Sequence, residues 1–237
     1  MGFIIVLAFN KDILEQLIPM RTDGLTGFFQ IFTFLGEVEG YVLLITLIYT
    51  AFNKKFAVAL AIVGLISMSI NHFLKILIAN PRPFLVDGTY IEKWAVSTKT
   101  AQSLSLQFST PSGHAMSAAA FFGYLSLLVK KRSVQVMCIL TIIFIGLSRP
   151  YLAVHYVEDI ILGWILGIAI ALIAITNAHK IQKIWCQISY PGQIMGALGA
   201  STLYWLLTSF LNGPEVSAHP LPFVGHIGFL TGLVIAV

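Results

Sequence analysis

Charge is what this chain has least of. Asp, Glu, Lys and Arg make up 10% of its 237 residues, against about 25% in an ordinary water-soluble domain, which excludes a globule wetted on all sides. Cysteine is scarcer still. Cys138 lies in an apolar run and Cys186 beside a basic connection far away, which excludes a disulfide framework and thiolate metal-ligand spacing. No Arg/Lys-rich patch of the kind that tracks a nucleic-acid backbone accompanies the modest net charge of +4. Nucleic acid is therefore not an expected partner. The first residues carry neither a basic start nor a small-residue cleavage site, so no cleaved signal peptide is expected.

What is present in excess is apolar surface: 57% of residues are apolar and mean hydropathy is +0.88. That surplus must face lipid. The sequence predicts an all-α, polytopic transmembrane helical bundle of about six to seven spans. It reads as a single membrane-embedded domain over 1–237, without internal repeats. Within it stand an N-terminal interfacial segment (1–24), a motif-bearing core (57–176) and extra C-terminal spans (194–237).

Residues 1–9 are too few to cross a bilayer, and Asn10, Lys11, Asp12 and Glu15 follow at once, so 1–17 is expected to be an amphipathic interfacial helix ending near Pro19. Residues 25–35 are apolar until Gly36-Glu37-Val38-Glu39-Gly40 intervenes. Either one long helix carries both carboxylates, or a short interfacial helix precedes a short span. Residues 57–79 form a span stopped by Pro81 and Pro83, which lack the amide donor. After a polar loop (84–109), Thr110-Pro111 reads as N-cap and first helical residue of a span to 129. Further spans are expected over 134–147, 157–176, 194–211 and 221–237. Gly163 and Gly167 have the spacing that permits close helix contact, within the bundle or in a dimer.

Three basic connections, Lys54-Lys55, Lys130 to Arg132 and Lys180 to Lys183, hold seven of the fourteen basic residues and no acid. The positive-inside rule places them in the cytoplasm and puts Arg82, His114, Arg149 and His155 on the outer face, as suits a bacterial inner membrane.

Three distant segments meet on that face. In 148–159, His155 and Asp159 are four apart, so on a helix the carboxylate can hold one imidazole nitrogen while the other points outward, as a base or nucleophile requires. Arg149 adds a fork of donors suited to an oxyanion. In 75–83, Lys75 can point its ammonium toward the helix exit, although taken alone it equally fits a snorkelling lysine, and Arg82 an ordinary loop cation. In 111–114, the amides of Ser112 and Gly113 are first-turn donors where a phosphate can dock, and His114 can donate a proton to a leaving oxygen. As an isolated tetrapeptide that segment also fits a plain helix start. Ionisable groups in such an apolar setting nevertheless need a reason, and their convergence supplies one.

Read together, Lys75-x6-Arg82-Pro83, Pro111-Ser112-Gly113-His114 and Ser148-Arg149-x5-His155-x3-Asp159 resemble the three-part signature of the type 2 phosphatidic acid phosphatase (PAP2) superfamily, in order and without substitution. The resemblance spans Lys75 to Asp159. It implies a metal-independent, cofactor-free phosphatase of a membrane lipid phosphate or isoprenyl pyrophosphate, working through a phosphohistidine. In that scheme His155 attacks phosphorus, Asp159 fixes its tautomer, and His114 protonates the leaving oxygen. Lys75, Arg82, Arg149, Ser112 and Gly113 hold the phosphoryl oxygens. The superfamily also contains sugar phosphatases and soluble vanadium haloperoxidases; the apolar spans disfavour the latter.

No spacing of Glu37, Glu39 or Glu158 builds an octahedral cage, so no metal is expected. His72, His179, His219 and His226 are read as packing or interfacial residues, and Phe84, Tyr90 and Trp94 as lining a lipid entrance. A soluble sugar phosphate is the rival substrate. A transporter reusing the anion site without hydrolysis is the rival class, against which stands the absence of paired broken helices and internal symmetry.

Overall fold

The computed structural model describes residues 9, 11–86, 104, 105 and 107–216, and all regular elements among them are helical. In chain order these are α1 (Asp12–Leu17), a 3-10 turn (Ile18–Met20), α2 (Asp23–Leu35), α3 (Val38–Ala51), α4 (Lys54–Ile78), α5 (Pro83–Val86), α6 (Gly113–Leu128), α7 (Arg132–Tyr151), α8 (Val157–Gln187) and α9 (Tyr190–Val216). Among the described residues four helices are long and apolar enough to cross a membrane, and a fifth span forms if α2 and α3, bent by 62° at their junction, count as one. The chain is thus a multi-pass integral membrane protein. The apolar α6 is shorter, at 16 residues, or about 24 Å of helix. The expected span over 221–237 lies outside the described residues, as does most of the expected interfacial helix, of which α1 is the described part.

Local chemistry explains the boundaries. Asn53 caps α4 by accepting from the Phe56 amide at 3.1 Å. At its other end α4 stops at Ile78, one residue before the Asn80-Pro81 pair that disfavours helix, and Ala79 turns left-handed (φ 52°). The interruption after residue 35 is a genuine break: α2 ends at Leu35, and α3 restarts at Val38 after an extended Glu37. Two expectations shift. Lys180 and Lys183 lie inside α8, because that helix runs on to Gln187 before turning. Ser148 to Tyr151 form the last turn of α7 rather than a loop.

The described residues fall into two compact units, one up to Ala171 and one from Leu172. In the first, α6 packs on α4 and α7, with α2 against α7 and α3 against α4. Four alanines of α6 (Ala115, Ala118, Ala119, Ala120) are fully buried. The expected close contact of Gly163 and Gly167 is made here, within the chain. A Cβ on Gly163 would lie 2.9 Å from the Ser112 carbonyl oxygen and 3.1 Å from Ala115 Cβ, and one on Gly167 would sit 2.7 Å from Ala119 Cβ. Small residues on both helices let the backbones touch, which draws the start of α8 beside the start of α6. In the second unit the Gln193 amide donates to the Trp185 and Ile188 carbonyls at 3.0 and 3.1 Å, tying the start of α9 to the end of α8.

Candidate active site

The ends of α4, α6, α7 and α8 bring the three motifs together. Arg82 and Arg149 are 2% and 5% exposed, Lys75 9%, His155 2% and Asp159 not at all. Lys75 is no snorkelling lysine. Its ammonium donates to the carbonyls of Phe108 and, at 3.2 Å, Ser109, so α4 grips the strand of chain that enters α6.

His155 lies in the turn between α7 and α8. Backbone bonds from Leu152 to the Ser148 carbonyl and from Val154 to the Arg149 carbonyl (3.0 and 3.1 Å) wind up the end of α7. Ala153 then takes a left-handed φ of 56°, a conformation that costs an L-residue about 1–2 kcal/mol. The buried packing of Ala153 against Leu14, Phe84 and Tyr156 holds it there. Phe84 is accordingly a core residue rather than part of an entrance, because α5 turns it inward; Tyr90 and Trp94 lie outside the described residues.

The imidazole is held at both nitrogens. Nδ1 stands 3.3 Å from Asp159 Oδ2 and 3.2 Å from Ser109 Oγ, while Nε2 faces Arg82 Nη1 at 3.3 Å. A guanidinium has only protons to offer, so Nε2 presents its lone pair and Nδ1 carries the hydrogen toward Asp159. Burial, and then the charges of Arg82, Lys75 and Arg149, hold the His155 pKa well below the ordinary imidazole range. The ring is therefore neutral at neutral pH, with Nε2 unprotonated.

Asp159 is itself fastened. Oδ2 accepts from Ser109 Oγ at 2.5 Å and the Tyr156 amide at 3.0 Å, and Oδ1 accepts from Thr110 Oγ1 at 2.5 Å. Asn80 Nδ2 donates to Thr110 Oγ1 at 3.0 Å, completing a chain from the end of α4 to the carboxylate. The sequence did not point to Ser109, Thr110 or Asn80.

The start of α6 differs from expectation in two respects. The helix begins at Gly113 with Ser112 as its cap, Ser112 Oγ accepting from the Ala115 amide at 3.5 Å. Thr110 does not cap: its hydroxyl donates to Asp159 Oδ1 and accepts from Asn80 Nδ2. The Ser112 amide, expected as a free phosphate donor, instead donates to the Asp159 carbonyl at 3.0 Å. The first-turn amides of Gly113 and His114 retain that capacity, with the Ser112 hydroxyl beside them. Asn71 sets the position of this turn, donating to the Pro111 carbonyl at 3.0 Å. A Cβ on Gly113 would stand 3.0 Å from its Oδ1, so a side chain there would press on the Asn71 amide that sets this turn.

His114 and Arg149 complete the lining of the site. His114 interacts electrostatically with Arg149, His155, Arg82 and Lys75. Its buried Nε2 and the buried Nε of Arg149 have no hydrogen-bond partner among the described residues. Arg149 Nη1 donates to Thr33 Oγ1 at 3.3 Å, and Glu37 interacts with its charge. Among the described residues no three His, Cys, Asp or Glu side chains gather as a metal cage.

Known proteins resemble this chain in sequence and in fold. The chain is 28% identical over 136 residues to an undecaprenyl-diphosphatase of Sulfolobus acidocaldarius, covering 56% of this chain and 61% of that one. It is 33% identical over 85 residues to phosphatidylglycerophosphatase B of Bacillus subtilis, covering 32% and 42%. The matches thus span less than two thirds of either relative. The crystal structure of the transmembrane PAP2-type phosphatidylglycerolphosphate phosphatase of Bacillus subtilis superposes with a TM-score of 0.58 at 25% identity, covering 72% of this chain and 85% of that one. Aquifex aeolicus LpxE shares the fold, with a TM-score of 0.56 at 21% identity over 74% and 99%. The sequence pattern of the PAP2 superfamily matches residues 42–183, and with its three motifs gathered around one imidazole the chain belongs to that superfamily.

Proposed function

We propose that this protein hydrolyses a membrane lipid phosphate or isoprenyl pyrophosphate through a phosphohistidine, without metal or cofactor. The observation that carries the reading is the orientation of His155: Nδ1 toward Asp159, and Nε2 aimed among three buried cations that a phosphate dianion would balance. Nε2 attacks phosphorus, and the P–O bond to the lipid breaks in line. Asp159 stabilises the positive charge that grows on the ring. His114, protonated once the bound phosphate dianion balances the surrounding cations, gives its proton to the departing oxygen, then removes one from the water that cleaves the P–N bond. Lys75, Arg82 and Arg149, with the Gly113 amide and the Ser112 hydroxyl, hold the non-bridging oxygens.

Helices embedded in a bilayer let a headgroup reach the site while its tails stay in lipid, which favours a lipid over a soluble sugar phosphate. The undecaprenyl-diphosphatase and the phosphatidylglycerophosphatase among the relatives support the same substrate class. Basic residues at the start of α4 and between α6 and α7, Lys54, Lys55 and Lys130 to Arg132, support a site on the extracytoplasmic face of a bacterial inner membrane. The domain carrying the reaction comprises the motif-bearing core (57–176), within the single membrane-embedded chain.

The test is phosphate release by the detergent-purified full chain from a panel of isoprenyl pyrophosphate, phosphatidic acid, phosphatidylglycerol phosphate, sphingoid phosphate and a sugar phosphate. Lipid hydrolysis that survives a chelator is the expected outcome. Turnover of the sugar phosphate alone would reassign the substrate class. Loss of activity on chelation would remove the metal-free scheme, and binding without release would make this a carrier.

A further inference from the structure

Residues 33–37 precede both the three motifs and the stretch 42–183 that matches the superfamily, yet the bend between α2 and α3 touches two motif side chains. Thr33, on the last turn of α2, accepts from Arg149 Nη1 at 3.3 Å. Gly36 is buried at the junction. A Cβ built on it would lie 2.9 Å from Ile145 Cγ2 and 3.0 Å from Cδ2 of the His114 ring. Its φ of −92° is open to any residue, so glycine is needed here for the close approach alone. The bare backbone is the wall on which the imidazole rests. Gly40 serves the bend itself, since a side chain there would run into the Phe34 carbonyl and the Leu35 backbone.

The geometry points to the α2–α3 bend as a fourth element of the phosphate site, with Thr33 and Gly36 as positioning residues. Thr33 fixes the guanidinium of Arg149, and Gly36 fixes the ring of His114. An arginine side chain has several rotatable bonds; a hydrogen bond at one end nitrogen selects the rotamer that turns Nε, unpartnered among the described residues, toward an oxyanion. Among the described residues no carboxylate is hydrogen-bonded to His114, so its direction is set by packing, with the Gly36 backbone against its ring. The inference rests on the proposed roles of Arg149 and His114, and it adds to them residues that no motif contains.

The experiment uses the full chain in detergent and two readouts, orthovanadate binding by calorimetry and steady-state hydrolysis. Thr33→Val is expected to weaken orthovanadate binding and raise KM about tenfold with little change in kcat, as loss of one hydrogen bond to a charged group implies. Thr33→Ser is expected to restore both. Gly36→Ala is expected to lower kcat more than about tenfold on an alkyl phosphate but only a few-fold on an aryl phosphate, whose acidic phenol leaves without a proton donor. Thr50→Val, with the same chemistry on α3 away from the bend, serves as a folding control. An active wild type with Thr33→Val unchanged, or Thr33→Ser as impaired as valine, overturns the inference. So does equal loss of alkyl and aryl turnover in Gly36→Ala. A wild type that hydrolyses nothing sinks the phosphatase reading instead, and the orthovanadate arm then still decides whether the bend belongs to the anion site. A wild type that does not bind orthovanadate overturns both.

Discussion

His155 and His114 serve one site and are held in opposite ways. The first is wired: Asp159 stands at Nδ1, two hydroxyls and an amide fasten that carboxylate, and Arg82 faces Nε2. The second is merely wedged, its ring against Gly36 and its Nε2 without a hydrogen-bond partner among the described residues. The difference fits the roles proposed for the two rings. A nucleophile needs one tautomer and one direction before substrate arrives, and a buried polar scaffold supplies both. A group that first gives a proton to one oxygen and then takes one from another must not be committed to a fixed partner.

The sharpest way to break this comparison is to remove the wired histidine. His155→Ala is expected to lower turnover by about 10³-fold or more for every substrate, whatever its leaving group, since the proposed covalent bond is formed by that ring. Rapid quench should show an acid-labile phosphoenzyme in the wild type and none in the variant. An unchanged rate would end the assignment. His114→Ala should cost about 10²–10⁴-fold on alkyl phosphates and much less on aryl phosphates. If the two leaving groups suffer alike, the wedged histidine is a phosphate ligand and the contrast between the two rings disappears.

A subtler cut is to loosen the scaffold without touching the ring. Ser109→Ala and Thr110→Val each remove a 2.5 Å donor from Asp159, leaving a buried carboxylate oxygen short of a partner at a cost of about 1.5–3 kcal/mol in stability. Turnover is expected to fall about tenfold, with KM nearly constant because neither residue is assigned to the phosphate. A thermal melt and a steady-state assay on the same sample check both halves. A loss of stability with unchanged kcat would mean that Asp159 holds the turn rather than the tautomer.

Whatever bears charge in this site was legible in the sequence, because a charge among apolar runs has few explanations. Lys75, Arg82, Arg149, His155 and Asp159 were found that way, and the structure brings them together. The neutral residues that aim those charges were not. Ser109, Thr110 and Asn80 stand in loops, where Ser, Thr and Asn are common for reasons of their own, Asn71 is one polar residue inside the apolar α4, and their partners are 30 or more residues away. Thr110 before Pro111 even imitated a helix cap; only the position of Asp159 shows where its hydroxyl goes. Gly36 was visible as part of an interruption, but the contact with His114 depends on how α2 and α3 fold onto α6 and α7, which no local pattern states.

The smallest expected effect separates the wired ring by its proton. In the unfolded chain the His155 imidazole titrates near its ordinary value of about 6.5. In the folded protein burial and the neighbouring cations hold it well below that. At pH 7 and above the ring is neutral in both states, so its ionisation leaves stability unaffected. As pH falls through about 6.5 the unfolded state takes up a proton that the folded state refuses, and stability drops until the folded value is reached. His155→Asn removes this linkage. The melting temperature of the wild type minus that of the variant should be flat from about pH 7 to 8.5 and should decline from about pH 6.5 to 5; the other histidines cancel in the subtraction. Adding Arg82→Gln lessens the depression, so the corresponding difference measured in that background should begin its decline at the same pH and level off sooner. Parallel curves for wild type and His155→Asn would mean that the ring already accepts a proton in the folded state, and that its Nε2 does not offer the lone pair on which the proposed attack depends.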